Sequence, residues 1–185
     1  VPETVEEALN SNYGKEWWKA MQAEYDALLE NCTWELTELP AGQKAVSNKW
    51  VFALKRNEHN EIERFKARLV AKGCSQKYGL NYTETFSPVV RYETIRMIFA
   101  IAAEYELYLH QMDVSSAYLN SELDDEVYMK QPAKFVDSQF PHHVLRLRKA
   151  LYGLKQSGRQ WNFKLDKILK GIGFQSCNSD PCVYI

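Results

Sequence analysis

Leu109-His110-Gln111-Met112-Asp113-Val114-Ser115-Ser116-Ala117-Tyr118-Leu119 opens as a β-pattern and closes as a turn. In an extended chain Leu107, Leu109, Gln111 and Asp113 share one face, and Tyr108, His110, Met112 and Val114 the other. The pattern then meets three small residues, Ser115, Ser116 and Ala117, and an aromatic, Tyr118. A carboxylate at the end of a strand has a rigid support and an open side, which suits a metal ligand that must not drift. Asp is also a common turn and N-cap residue, so Asp113 alone decides nothing and the flanking chain has to be read with it.

Upstream, Ile95, Ile98, Phe99, Ala102 and Ala103 recur at helical spacing and predict a buried helix over roughly Tyr92 to Tyr105. Downstream comes a polar turn in which Asp124 and Asp125 lie between Glu122 and Glu126, then an apolar run, Val127 to Lys130, and Pro132. Trp161, Leu165, Ile168 and Leu169 mark the core face of a helix ending near Gly171, with Lys164, Lys167 and Lys170 on or beside its outer face. Cys182 to Ile185 reads as the start of an apolar strand. At the other end, Thr4-Val5-Glu6-Glu7 has capping-box spacing. Trp17, Trp18, Met21, Tyr25, Leu28 and Leu29 predict an amphipathic helix from Lys15 to Glu30. Thr33 to Leu36 is a short strand. Gly73 to Pro88 has little periodicity and reads as a loop.

Lys49 to Arg56 and Arg64 to Lys72 are strands joined by the turn cluster Asn57-Glu58-His59-Asn60, a long hairpin. Alternation puts Arg64, Lys66, Arg68 and Val70 on one face, so three cations align there. Like charges on one face repel, and an anion would offset that cost, although Lys and Arg are also routine on a solvated edge strand. The net charge is −1, but it is distributed in blocks. Residues 44–77 carry nine bases against three acids, and residues 142–170 eight bases against one acid. Between them, residues 78–141 carry ten acids against four bases. Two basic blocks around an acidic one fit a groove for a polyanion with carboxylates at its floor. No apolar run approaches the roughly 20 residues of a membrane span. The four cysteines show no CxxC spacing and are expected to be free thiols in a reducing compartment. His142 and His143, beside Pro141, have no companion at metal-ligand spacing. The opening Val1-Pro2-Glu3-Thr4 reads as a cut from a longer polypeptide.

Taken in order, these stretches resemble the reverse transcriptase domain of copia-type LTR retrotransposon Pol polyproteins. The resemblance runs through "WWKAMQAE" from Trp17, "KWVF" from Lys49, "FKARLVAKG" from Phe65 and "ETFSPVV" from Glu84. It continues through "QMDVSSAYLN" from Gln111, "VYMKQP" from Val127 and "ALYGLKQSGRQW" from Ala150. Single pieces are weak; the ordered set is specific. Periodicity by itself gives a mixed α+β chain. The resemblance implies a right-hand polymerase fold, with one reverse transcriptase domain fragment over 1–185. Fingers would span about 15–88 and 120–158, and palm about 89–119 and 159–185. It implies an RNA-directed DNA polymerase, intracellular, acting on an RNA or DNA template with primer and on deoxynucleoside triphosphates, alongside the remainder of the polyprotein and without a membrane.

The resemblance also implies the site. Lys66 and Arg68 would face the incoming triphosphate, with Arg64 beside them. Asp113 matches the first catalytic aspartate, a ligand to both of two Mg2+ ions, and the Val114 carbonyl would complete its ligand set. Tyr118 matches the aromatic under the sugar, and Tyr152 and Gly153 lie in the segment that packs against template and nucleotide. Two ions would stabilise the attacking and leaving oxygens of an in-line phosphoryl transfer, and magnesium takes few protein oxygens because phosphates and waters supply the rest. Two departures stand out. Gly158 occupies a position where the family usually carries Pro, which implies a softer helix start. The family's Tyr-Val-Asp-Asp hairpin does not occur in residues 1–185, and Asp124-Asp125 is no substitute, so the fragment is expected to be C-terminally truncated and inactive alone. The rival expectation is a non-catalytic nucleic-acid-binding remnant of a decayed element.

Overall fold

The structure, a computed structural model, describes residues 1–185. Helix α1 (Val5–Asn10) begins where the capping box places it: Thr4 Oγ1 accepts from the Glu7 backbone N–H at 3.2 Å, and the Glu7 carboxylate accepts from the Glu3 N–H at 2.9 Å. Helix α2 (Gly14–Glu30) buries Trp17, Met21 and Leu28 along one seam. Trp18 and Leu29, read from sequence as part of that stripe, lie one position round from it and remain 37% and 47% exposed, Trp18 stacking on Phe135.

Strands β2 (Asn48–Arg56) and β3 (Ile62–Ala71) form the antiparallel hairpin. Its register pairs Trp50 with Leu69, Phe52 with Ala67 and Leu54 with Phe65 towards the core. The alternate pairs, Val51 with Arg68, Ala53 with Lys66 and Lys55 with Arg64, occupy the opposite face. Trp17 meets Phe52 and Phe65 edge-on, at centroid distances of 5.2 and 4.8 Å, and so fixes α2 to the hairpin. A second antiparallel sheet has the order β1 (Trp34–Thr37), β5 (Val144–Lys149), β4 (Glu122–Lys130). Its inward residues Val127, Met129, Leu145 and Leu147 join the same core cluster as Trp50 and Leu69. The two sheets are tied at Val46, whose N–H donates to the Tyr128 carbonyl and whose carbonyl accepts from Lys130.

Several sequence expectations are corrected. Residues 107–114 form no strand. A strand needs a ladder partner, and residues 108–114 make no backbone hydrogen bond within the chain. Cys182 to Ile185, expected to start a strand, does pair, in a short antiparallel bridge with residues 175–177: Gln175 and Ile185 exchange both backbone hydrogen bonds, and Cys177 N–H donates to Val183. Helix α3 (Tyr92–Glu104) has the expected bounds, but only Ala102 is buried, because no sheet lies beneath its apolar stripe. Asp180, 4% exposed, holds its first turn by accepting from the Arg91 N–H and the Thr94 hydroxyl. The acidic stretch Glu122 to Glu126 is not a turn but the first half of β4, bulged where the register to β5 shifts. Helix α4 (Ser157–Gly171) leaves Ile168 46% exposed, and Trp161, Leu165 and Leu169 are only half-buried, so its stripe faces no core.

Candidate functional site

The outward face of β3 builds the site. Lys66 is half-buried between Arg64 and Arg68. Burial, and after it repulsion from Arg68, Arg64 and Lys55, pushes its ammonium below the usual lysine range; Glu24 pulls the other way. The Arg68 guanidinium lies 5.0 Å from the centroid of the Tyr152 ring, and that ring meets Tyr118 edge-on at 4.6 Å. Arg68, Tyr152 and Tyr118 therefore form one continuous stack.

Tyr152 is held by backbone. Its carbonyl accepts from the Ala71 N–H at 2.8 Å, which attaches residues 151–154 to the free edge of β3. The approach requires glycine next in line: Gly153 has φ +90°, and a Cβ there would lie 2.0 Å from the Ala71 carbonyl oxygen. Behind it, fully buried Gln156 accepts from Gln76 Nε2 at 2.9 Å and donates to the Asn81 carbonyl at 2.8 Å and to Asp125 at 3.2 Å. Gln76 Oε1 in turn accepts from the Lys155 N–H. These amides brace the segment that carries Tyr152. Asp125 thus serves as an acceptor in the brace, and burial raises its carboxyl above the ordinary range.

A cleft of about 800 Å³ lies between α2, β3 and residues 113–117. It brings Lys66, Arg68, Asp113, Val114 and Tyr152 to one space. Tyr118 and Gly153 do not line it; they stand behind Tyr152. Tyr118 sits in a 3₁₀ turn, Ala117–Asn120, entered through Ser116 in the left-handed region at φ 52°. Asp113 is exposed and hangs on the unpaired segment rather than on a strand end.

The residue that sequence reading passed over is Glu24. It also lines the cleft, and with Lys66, Arg68, Leu119 and Tyr152 it lines a smaller cavity of about 70 Å³. Burial raises its carboxyl above the usual range, against the Leu69 backbone N–H and the charges of Arg68 and Lys66, which lower it. The signal was present: positions 17, 21, 24 and 28 follow the buried seam of α2, and one of them is a carboxylate.

A second cavity, about 520 Å³, opens at the β4 bulge beside β5. Its arginines are paired, Arg146 with Glu35 at 3.2 Å and with Glu126 at 3.3 Å, and Arg148 with Glu35, and Glu122, Asp124 and Asp125 add acid to its lining. It is a poor receiver for a polyanion, whereas the β3 cations have no ion-pair partner within 4.0 Å.

As a metal site the cleft is partial. Asp113 and the Val114 carbonyl are hard oxygen donors of the kind magnesium takes, but no three acids, histidines or cysteines converge. These residues fit one corner of a coordination shell and not a complete cage.

Residues 31–185 match the family model described as reverse transcriptase (RNA-dependent DNA polymerase). The chain is 44% identical over 183 residues, 99% of its length, to the retrovirus-related Pol polyprotein from transposon TNT 1-94 of Nicotiana tabacum. It is 40% identical over 185 residues, its whole length, to the retrovirus-related Pol polyprotein from transposon RE1 of Arabidopsis thaliana. It spans 14% and 12% of those relatives. No solved structure matches.

Proposed function

The chain belongs to the reverse transcriptase (RNA-dependent DNA polymerase) family of retrotransposon Pol polyproteins, and we propose that its β3 cleft receives the triphosphate of an incoming deoxynucleotide. The observation that carries this reading is the convergence of two unpaired cations, Lys66 and Arg68, with Asp113, Val114 and Tyr152 on one space. Lys66 and Arg68 donate charge-assisted hydrogen bonds to phosphate oxygens, and the guanidinium fork of Arg68 suits two of them at once. Tyr152 supports Arg68 from below, and Gly153 lets the supporting segment approach β3. Tyr118, behind Tyr152 and edge-on to it, fixes how far that ring stands into the cleft and so limits the room beside the sugar indirectly.

Asp113 and the Val114 carbonyl would hold magnesium, which when bound neutralises charge developing on the transferred phosphoryl group. On this reading residues 15–88 and 120–158 are fingers of a right-hand polymerase, and 89–119 and 159–185 belong to its palm. Template and primer, and the remainder of the polyprotein, complete the assembly. Residues 1–185 supply one metal-binding carboxylate to the cleft, so this polypeptide alone does not extend a primer.

The test is Arg68→Ala in the full-length protein, assayed by deoxynucleotide incorporation on an RNA template. Loss of one charge-assisted contact of about 1.5–3 kcal/mol should raise the nucleotide KM or lower kcat, with duplex affinity nearly intact. Unchanged nucleotide kinetics with weakened duplex binding would move Arg68 from triphosphate to template. Salt-dependent duplex binding without incorporation by the full-length protein would favour the non-catalytic remnant.

A further inference from the structure

Glu24 is a carboxylate on the buried seam of α2, between Met21 and Leu28, where packing alone calls for an apolar residue. Burying a charge is costly unless it is paired. Its surroundings show what it meets there. It lies beside β3, near the Leu69 N–H and one residue along from Arg68. It shares the small enclosed cavity with Lys66, Arg68 and Tyr152, and the large cleft with Glu16, Lys19, Arg64 and Asp113. It makes no ion pair within 4.0 Å with either cation. It therefore acts on Lys66 and Arg68 as a fixed neighbouring charge and not as a clasp.

We infer that Glu24 is a positioning residue for the proposed triphosphate site, holding the Lys66–Arg68 pair from the α2 wall of the cleft. The inference rests on the reading of the cleft given above. Three cations on one strand face spread apart when nothing opposes their repulsion. An anion beside the strand draws the middle and last of them together, and leaves their outer donors free. The seam of α2, anchored in the core by Met21 and Leu28, keeps that anion in place beside the Leu69 N–H. A purely structural role would need only an acceptor for this N–H, and an amide oxygen supplies one equally well.

Glu24→Gln separates the two roles, because it keeps the acceptor and removes the charge. The experiment uses the full-length protein, with steady-state incorporation, calorimetric binding of a non-hydrolysable deoxynucleoside triphosphate analogue, and thermal unfolding at pH 7. The expected result is a nucleotide KM and analogue Kd raised about tenfold, the scale of one disturbed charge-assisted contact. Expected alongside are a kcat close to wild type and a Tm that is equal or higher, since burial no longer works against a charge. In the Arg68→Ala background, Glu24→Gln should cost less than in the wild type, because the part of its effect that passes through Arg68 is already lost and only the part through Lys66 remains. A nucleotide KM that stays the same or falls, or an effect fully additive with Arg68→Ala, overturns the inference. Should Glu24→Gln fail to fold, Glu24→Asp carries the test: the charge set back by one methylene should raise KM with kcat kept, and an unchanged KM overturns it. If Arg68→Ala itself leaves nucleotide kinetics unchanged, the reading of the cleft has failed; if only Glu24→Gln is silent, the role of Glu24 has.

Discussion

Gly153→Ala should be among the most damaging single-methyl additions in the chain. Gly153 has φ +90°, where an L-residue costs about 1–2 kcal/mol. The new Cβ would stand 2.0 Å from the Ala71 carbonyl oxygen and 2.7 Å from Val70 Cγ1. The first neighbour is backbone, held at the end of the β2–β3 ladder by the pairing of Ala71 with Asn48, and cannot swing away as a side chain would. Residues 151–154 must therefore lift from β3, which loses the Ala71-to-Tyr152 hydrogen bond, worth about 0.5–1.5 kcal/mol, and adds overpacking of about 1–3 kcal/mol. Together these come to about 3–6 kcal/mol. Gly79→Ala is the control: φ is +76° there, but no atom lies within 4 Å, so only the conformational cost of about 1–2 kcal/mol applies. The difference, about 2–4 kcal/mol, corresponds to a midpoint about 1–2 M lower in urea at an m-value near 2 kcal/mol/M. Trp17 and Trp50, 2% and 4% exposed, report unfolding by fluorescence. If Gly153→Ala unfolds at the same urea concentration as Gly79→Ala, the close approach of residues 151–154 to β3 is wrong, and the support of Tyr152 falls with it.

Asp180 contributes to the acid limb of stability. Hydrogen bonds from the Arg91 N–H, the Thr94 hydroxyl and the Cys182 N–H hold its carboxyl below the ordinary Asp range. A carboxyl depressed on folding stabilises the fold above its unfolded pKa, and that contribution disappears as pH falls through the lowered value. Asp180→Asn should flatten this part of the pH–stability curve in urea titrations between neutral and acid pH; an unaltered acid limb would exclude the group. Tyr118→Ala, in the full-length protein, should admit ribonucleotides while retaining some deoxynucleotide incorporation, read out in competition assays. If the variant loses stability with its ribose discrimination intact, Tyr118 acts only as packing under Tyr152.

The hairpin was legible because its alternation is strict: Phe65, Ala67 and Leu69 can only face one way, and Arg64, Lys66 and Arg68 the other. The same rule was available for β5, where Leu145 and Leu147 are buried and Arg146 and Arg148 exposed, but the run is short and follows a proline–histidine loop. Residues 107–114 show the limit of the rule. Alternation states which face a strand would use, and it is silent on whether a neighbour will supply the ladder. Glu24 was missed because the stripe on α2 was counted in apolar residues alone. Gln156 and Asp180 act through partners 80 and 86 residues away, Gln76 and Thr94, and no local spacing encodes those contacts.

The two walls of the cleft differ in how firmly they are built. The cation wall is hydrogen-bonded on both edges, by the β2 ladder on one side and by the Tyr152 carbonyl at Ala71 on the other. Its side chains rest on a packed core that includes Trp17, Leu69 and Leu151. The carboxylate wall has neither support: Asp113 is exposed and residues 108–114 make no backbone hydrogen bond, and the chain is tied down again only after them, where the Ser116 carbonyl accepts from the Leu119 N–H at 2.8 Å and from Asn120 Nδ2 at 3.3 Å. Preorganisation lowers the cost of binding where it exists and leaves that cost to be met where it does not. On the proposed reading, the phosphates meet a wall already in place, and Asp113 is ordered only as its ligands and neighbours assemble. That asymmetry explains why the triphosphate half of the site can be read from this chain's own geometry, while the metal half amounts to a single corner.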